Sequence, residues 1–240
     1  MLLGLTIKNL VTGHPAAPAL LQVPVNLNAA MGEIWMLGGR NGTGKSTLLN
    51  TIAGLIKPKT GEIVWNGANI QSLDPPSCSK IFATVLTSKP EAPHFSALEI
   101  VETGLFRRNL KAGEKQKLAS EFLEHAGAGR LASRRFEQLS DGEKQRVMIA
   151  RALAQDTPVL LLDEPTAYLD FAARAEFSKM LSSWAADWNK LIFVSSHDHH
   201  ALLPVCTHLL FLRNGEAITI GRDELLQNAH SLFQVSENES

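Results

Sequence analysis

The residues Gly39-Arg40-Asn41-Gly42-Thr43-Gly44-Lys45-Ser46, followed by Thr47, form a G-x-x-x-x-G-K-S octet. Those residue types at that spacing suit one task, which is holding a polyphosphate. Glycines let the backbone curl so that successive N–H groups face an anion, and a helix N-terminus adds partial positive charge. Lys45 is placed to reach the β- and γ-phosphates, and the Ser46 hydroxyl to take one position on Mg²⁺. The context fits. An apolar, strand-like run over residues 34–37 leads in, and a helical pattern over 46–53 leads out. A glycine-rich strand-to-helix turn is the competing reading, but it gives no reason for Lys-Ser directly after the last glycine. The octet predicts a nucleoside triphosphate site.

A second apolar run, Val159-Leu160-Leu161-Leu162, ends in Asp163-Glu164-Pro165. Four consecutive apolar residues suit a strand buried on both faces of a parallel sheet, and ligands bind at the carboxyl ends of such strands. Behind a phosphate loop, Asp163 is expected to hold Mg²⁺ and Glu164 to polarise the water that attacks the γ-phosphate. Leu139-Ser140-Asp141-Gly142-Glu143-Lys144-Gln145 reads locally as a capped helix start. A serine hydroxyl, a glycine backbone and a helix N-terminus also make an anion site.

Taken together, these segments resemble the ATP-binding cassette (ABC) ATPases. Residues 139–143 are similar to that family's L-S-G-G-Q signature, departing at Asp141 and Glu143. The resemblance implies that Leu139, Ser140, Asp141, Gly142 and Glu143 close on the ATP of an opposite subunit, so that the working unit is a homodimer or paired cassette. Ala167-Tyr168-Leu169-Asp170 resembles the D-loop, with Asp170 crossing between subunits. Ser195-Ser196-His197-Asp198 resembles the switch segment, which makes His197 the γ-phosphate sensor. His14 falls where the family carries an aromatic that stacks on adenine. Two more departures stand out. Arg40 replaces a common proline, with its side chain directed away from the phosphates. Thr87 stands where a glutamine usually contacts Mg²⁺ and senses the membrane partner.

The elements that position these residues are legible in outline. Alternation over residues 3–9 and an apolar run over 20–27 read as strands, and Asn66-Gly67 and Asn214-Gly215 as hairpin turns. A short strand is expected at 81–86, and helical signals run from 96 to about 155. They include capping boxes at Ser96-Ala97-Leu98-Glu99 and Ser140-Asp141-Gly142-Glu143. Apolar strands over 159–162 and 191–195 flank a helix over 172–188. The resemblance implies an α/β fold, a RecA-like P-loop NTPase core with an antiparallel β-subdomain. Residues 1–240 would form one ATP-binding domain with a helical lobe inserted over about 90–150.

Composition narrows the partners. The net charge of −1 gives no bulk electrostatic drive toward nucleic acid, so no nucleic-acid partner is expected. Cys78 and Cys206 make neither a disulfide framework nor a zinc pattern, and His199 and His200 lack supporting ligand spacing. No apolar stretch is long enough for a membrane span, and the start lacks a signal-peptide pattern. Any membrane role must therefore come through a partner. The resemblance, closest to importers of iron chelates, haem and cobalamin on residues 139–146 and 85–87, implies an integral membrane permease, seated in a groove walled by residues 87–105. It also implies a periplasmic or extracellular solute-binding protein, and a place at the cytoplasmic face of the membrane. A soluble ABC ATPase acting as a nucleotide-driven switch on protein or nucleic acid is the second reading.

Overall fold

The computed structural model describes residues 4–13, 23–87, 92, 94–197, 199–225 and 233. In chain order the strands are β1 (Gly4–Val11), β2 (Val25–Ala30), β3 (Ile34–Gly39), β4 (Thr60–Trp65), β5 (Ala68–Asn69) and β6 (Phe82–Val85). They continue with β7 (Val159–Asp163), β8 (Leu191–Ser195), β9 (His208–Arg213) and β10 (Glu216–Ile220). The helices are α1 (Lys45–Ile52), α2 (Pro75–Cys78), α3 (Ala97–Gly104), α4 (Ala112–His125), α5 (Asp141–Ala154), α6 (Phe171–Ala186) and α7 (His199–Leu202).

Two sheets organise the chain. One is antiparallel, ordered β2-β1-β4-β5; the other has six strands ordered β10-β9-β3-β8-β7-β6. In the larger sheet β9, β3, β8, β7 and β6 are mutually parallel and β10 closes one edge antiparallel. This is the expected RecA-like core with an antiparallel β-subdomain.

Both faces of the larger sheet are covered, which explains why its strands are apolar without alternation. Ile34, Met36, Leu160, Leu162, Ile192 and Val194 enter one cluster with the residues of α3, α4, α5 and α6. Trp35, Leu37, Val159, Leu161, Leu191 and Phe193 enter another with α1 and the antiparallel sheet. Both Asn-Gly pairs turn hairpins as read from the sequence. Asn66 and Gly67 have φ of 47° and 87°, and Asn214 and Gly215 have 50° and 80°. Only such residues adopt positive φ twice in succession at small cost.

Two readings shift. The second strand begins at Val25 rather than 20, because Pro24 has no N–H for a ladder; residues 20–22 lie outside the described residues. The long helix spans Phe171–Ala186, started by Asp170 instead of Ala172. A cavity beside α5 is lined by the segment after α1 (including Leu55, Ile56 and Pro58), by Ile70, Leu73 and Phe82, by Arg151 of α5 and by Gln155 just beyond it. It measures about 600 Å³.

Helices α3, α4 and α5 pack on one another. Both predicted capping boxes form. Ser96 and Ser140 each accept from the backbone N–H three residues on, while Glu99 and Glu143 accept from the capping residue's own N–H. The α3–α5 contact is close. A Cβ on Gly104 would stand 2.3 Å from the Arg151 carbonyl oxygen, and backbone cannot swing aside. On helix propensity alone, Gly104→Ala would stabilise by up to about 1 kcal/mol. Overpacking of about 1–3 kcal/mol should outweigh that. Denaturant unfolding of the variant should show a lower midpoint; a raised midpoint would mean that α3 and α5 are not held at this distance.

Candidate functional site

The phosphate loop joins the carboxyl end of β3 to α1. Gly39, Gly42 and Gly44 have φ of 131°, 79° and 103°. At Gly39 a Cβ would also lie 2.4 Å from the Leu212 carbonyl oxygen of the adjacent strand, so neither conformation nor space admits another residue. Around Gly42 nothing lies within 4 Å of a built Cβ, which leaves the loop's inner side open. Gly44 is the N-cap of α1 and no side chain caps it, so the first helical N–H groups are available to an anion. The Lys45 ammonium donates to the carbonyls of Gly39 (2.8 Å) and Arg40 (3.0 Å), which holds it across the loop. Its side chain is buried, and burial pulls its pKa below the usual lysine range, against the opposing pull of Glu164 and Asp163. Thr43 braces the turn through Oγ1 to the Arg40 carbonyl (2.8 Å), while Asn41 and Ser46 are exposed. Thr47 receives the Thr51 hydroxyl on its carbonyl (2.7 Å).

Asp163 ends β7, in register with Ser195 on β8. Its carboxylate, almost fully buried, accepts from Ser195 Oγ at 2.6 Å and from Thr87 Oγ1 at 2.9 Å. The structure thus brings Thr87, two residues beyond β6, together with Asp163. Glu164 departs from the strand with φ 49°, a sparsely populated conformation for a non-glycine residue that costs on the order of 1–3 kcal/mol. Its N–H is shared between the Ser195 carbonyl (3.2 Å) and Ser195 Oγ (3.0 Å). The turn aims its side chain toward His197, whose N–H donates to Oε2 at 3.3 Å. His197 Nε2 comes within 3.0 Å of Oε1, a close polar approach without hydrogen-bond alignment. Oε1 is thus a buried oxygen with no aligned donor, a position for accepting a proton.

The signature segment assembles elsewhere. Ser140 caps α5 and its Oγ also lies 3.0 Å from Glu143 Oε2, while Arg134 reaches Glu143 Oε1 at 3.1 Å. The Ser140 backbone N–H, with lesser help from its hydroxyl and the nearby arginines, lowers the Glu143 pKa. Gly142 packs so closely on the Tyr168 carbonyl that a Cβ would approach to 2.9 Å. Gly142, Glu143, Tyr168 and Asp170 line one cleft of about 410 Å³, apart from residues 39–47. Within the chain Asp170 caps α6, accepting from the Ala173 N–H at 2.8 Å.

Two functional features were not read from the sequence. Ser195 binds both acidic residues at once, and Ser196 pairs with Thr166 through their hydroxyls at 2.9 Å. The two serines closing an apolar run were the available signal. His199, next to His200, stacks on Phe233 at 4.0 Å. The proposed adenine contact, His14, lies outside the described residues.

The sequence family described as ABC transporter matches residues 23–167. The iron(3+)-hydroxamate import ATP-binding protein FhuC of Bacillus subtilis is 34% identical over 202 residues, covering 82% of this chain and 75% of the relative. The hemin import ATP-binding protein HmuV of Hahella chejuensis is 33% identical over 221 residues, with 88% and 86% covered. Among solved structures, the dimeric post-hydrolysis state of the ATP-binding cassette MJ0796 bound to ADP and Pi superposes with a TM-score of 0.83 at 31% identity, over 91% of this chain and 98% of that one. With this fold and a phosphate loop facing two strand-end carboxylates, the chain belongs to the ABC transporter family, as one of its ATP-binding, ATP-hydrolysing subunits.

Proposed function

We propose that this ATPase subunit powers uptake of an iron-chelate, haem or cobalamin type solute through a separate integral membrane permease, working as a homodimer or paired cassette. The relatives named for hydroxamate and hemin import support the solute class, and the dimeric cassette of matching fold supports the pairing. A periplasmic or extracellular solute-binding protein would deliver the solute. Among the described residues no helix is long and apolar enough to cross a membrane. The chain would sit at the cytoplasmic face through its permease, which would dock in a groove walled by residues 87–105.

The observation that carries the hydrolytic reading is Glu164 Oε1, buried without an aligned hydrogen bond, 3.0 Å from His197 Nε2 and next to Asp163. The loop N–H groups and Lys45 bind and orient the triphosphate. Glu164 takes a proton from water as its oxygen attacks the γ-phosphorus and the bond to the β-phosphate oxygen breaks. His197 positions Glu164 and meets the γ-phosphate. The oxygen donors Ser46 and Asp163, with Thr87 beside them, fit Mg²⁺, which prefers few protein ligands plus phosphates. When bound, that ion would neutralise charge on the β- and γ-phosphates. Ser140 and Gly142 would complete the site of the opposite subunit, with Asp170 between the two.

Glu164→Gln should bind ATP as before and release phosphate about 10²- to 10⁴-fold more slowly, the usual cost of losing a general base. Near-normal phosphate release would remove Glu164 from that role. Mixing Ser140→Arg with Lys45→Ala subunits creates one composite site with both defects and one with neither. The mixture should hydrolyse more ATP than either parent, and a mixture as inactive as both parents would argue against shared sites. For the partner, the chain captured from its own membranes should bring an integral membrane protein whose presence raises phosphate release. Full turnover with no membrane protein bound or responded to would favour the soluble switch on protein or nucleic acid.

A further inference from the structure

Three parallel strands, β6, β7 and β8, end side by side, and one buried hydroxyl links their chemistry. Ser195 is fully buried at the end of β8, paired in register with Asp163. Its Oγ donates to Asp163 Oδ1 at 2.6 Å and receives the Glu164 N–H at 3.0 Å. The other Asp163 oxygen is held from the opposite side by Thr87 at 2.9 Å. Glu164 adopts φ 49°, and its N–H donates to Ser195, to Oγ and to the carbonyl oxygen at 3.2 Å. A left-handed glutamate persists only where its surroundings over-determine it, and this hydroxyl is one of the groups that do so, beside the Ser195 carbonyl, the Ala167 N–H and the His197 N–H.

We infer that Ser195 is a positioning residue for ATP hydrolysis, its single hydroxyl fixing the Asp163 carboxylate for the divalent cation and the Glu164 backbone turn for the attacking water. This inference rests on the reading of Asp163 and Glu164 given above. The reason is geometric. A carboxylate with both oxygens tied to neighbouring strands has one orientation, and a ligand held in one orientation loses less on binding a cation. Tying the next residue's N–H to the same oxygen couples the two acids, so neither can turn without disturbing the other. Serine suits the place because its hydroxyl donates and accepts together.

The test compares the full-length chain with Ser195→Ala and with Ser195→Cys, which nearly keeps the volume and weakens both hydrogen bonds. Binding of a fluorescent ATP analogue is measured in EDTA and across a Mg²⁺ titration, and phosphate release is normalised to folded protein. Both variants should bind the analogue in EDTA within about twofold of the parent, since Lys45 and the loop are untouched. The half-saturating Mg²⁺ concentration should rise and kcat fall, each by about 10- to 100-fold, the usual cost of losing a partner that orients a ligand. If the alanine chain does not fold, the cysteine chain carries the same reading. Unchanged Mg²⁺ requirement and kcat would overturn the inference. So would equal loss of binding with and without Mg²⁺, the mark of a merely structural residue. Glu164→Gln in the same assay separates the two levels. If it hydrolyses normally, the reading of the acidic pair fails; if it is inactive while Ser195→Ala is normal, only the role of Ser195 fails.

Discussion

The register between β7 and β8 is the constraint on which the site depends. It sets Asp163 opposite Ser195 and, through β3 paired to β8 at Leu37 and Ser195, brings the phosphate loop to the same edge. Side chains alternate along a strand, so a slip of one residue would turn Asp163 to the opposite face and leave the chemistry incomplete. What prevents the slip is burial on both faces. Leu160 and Leu162 fill one core while Val159 and Leu161 fill the other. Each such side chain is worth roughly 1.5–3 kcal/mol when buried. The site inherits its precision from apolar packing that touches no nucleotide.

At that edge the structure accepts local costs. Glu164 sits in a left-handed conformation and leaves one buried carboxylate oxygen without an aligned donor. Lys45 is pressed into a buried position that lowers its pKa, its charge kept by two loop carbonyls and two nearby acids. An uncapped helix start at Gly44 is a further cost, since α3, α5 and α6 all carry capping side chains. The last two features are repaired by the same kind of ligand, an anion bringing acceptors to the N–H groups and to the ammonium. A terminal phosphate next to two carboxylates is otherwise repelled, so the loop has to supply the compensating charge.

The helical segment follows a different logic. Its termini are satisfied within the chain, and Glu143, in place of a neutral amide, strengthens the cap through a carboxylate that favours a helix N-terminus. Arg134 pairs with Glu143, and Arg146 reaches both Gly127 O (3.1 Å) and Glu176 (2.9 Å), tying α5 to its neighbours. The signature residues are thereby presented as a preformed surface beside Tyr168 and Asp170, at a distance in the fold from the chain's own phosphate loop.

The sequence by itself determined the pieces whose meaning is local. A phosphate loop is a run of backbone conformations that glycine permits, so residues 39–46 declare it. Caps such as Ser96-to-Glu99 and Ser140-to-Glu143 close within one turn of helix, and Asn-Gly hairpins need only two residues. The unbroken apolar runs at β7 and β8 announced strands buried on both sides. Only the tertiary structure could decide what is non-local. That Ser195 bridges Asp163 and Glu164 depends on two strands about thirty residues apart meeting in one register, which no spacing encodes. The left-handed turn at Glu164 arises from acceptors on a neighbouring strand rather than from its own residue type. The cavity beside α5 could not be read from sequence, because its walls, among them Leu55, Ile70, Phe82 and Arg151, come from segments far apart in the chain. Local sequence fixes backbone conformation where steric preference is strong, whereas carboxylate orientation and cavity walls are set by neighbours distant in the chain.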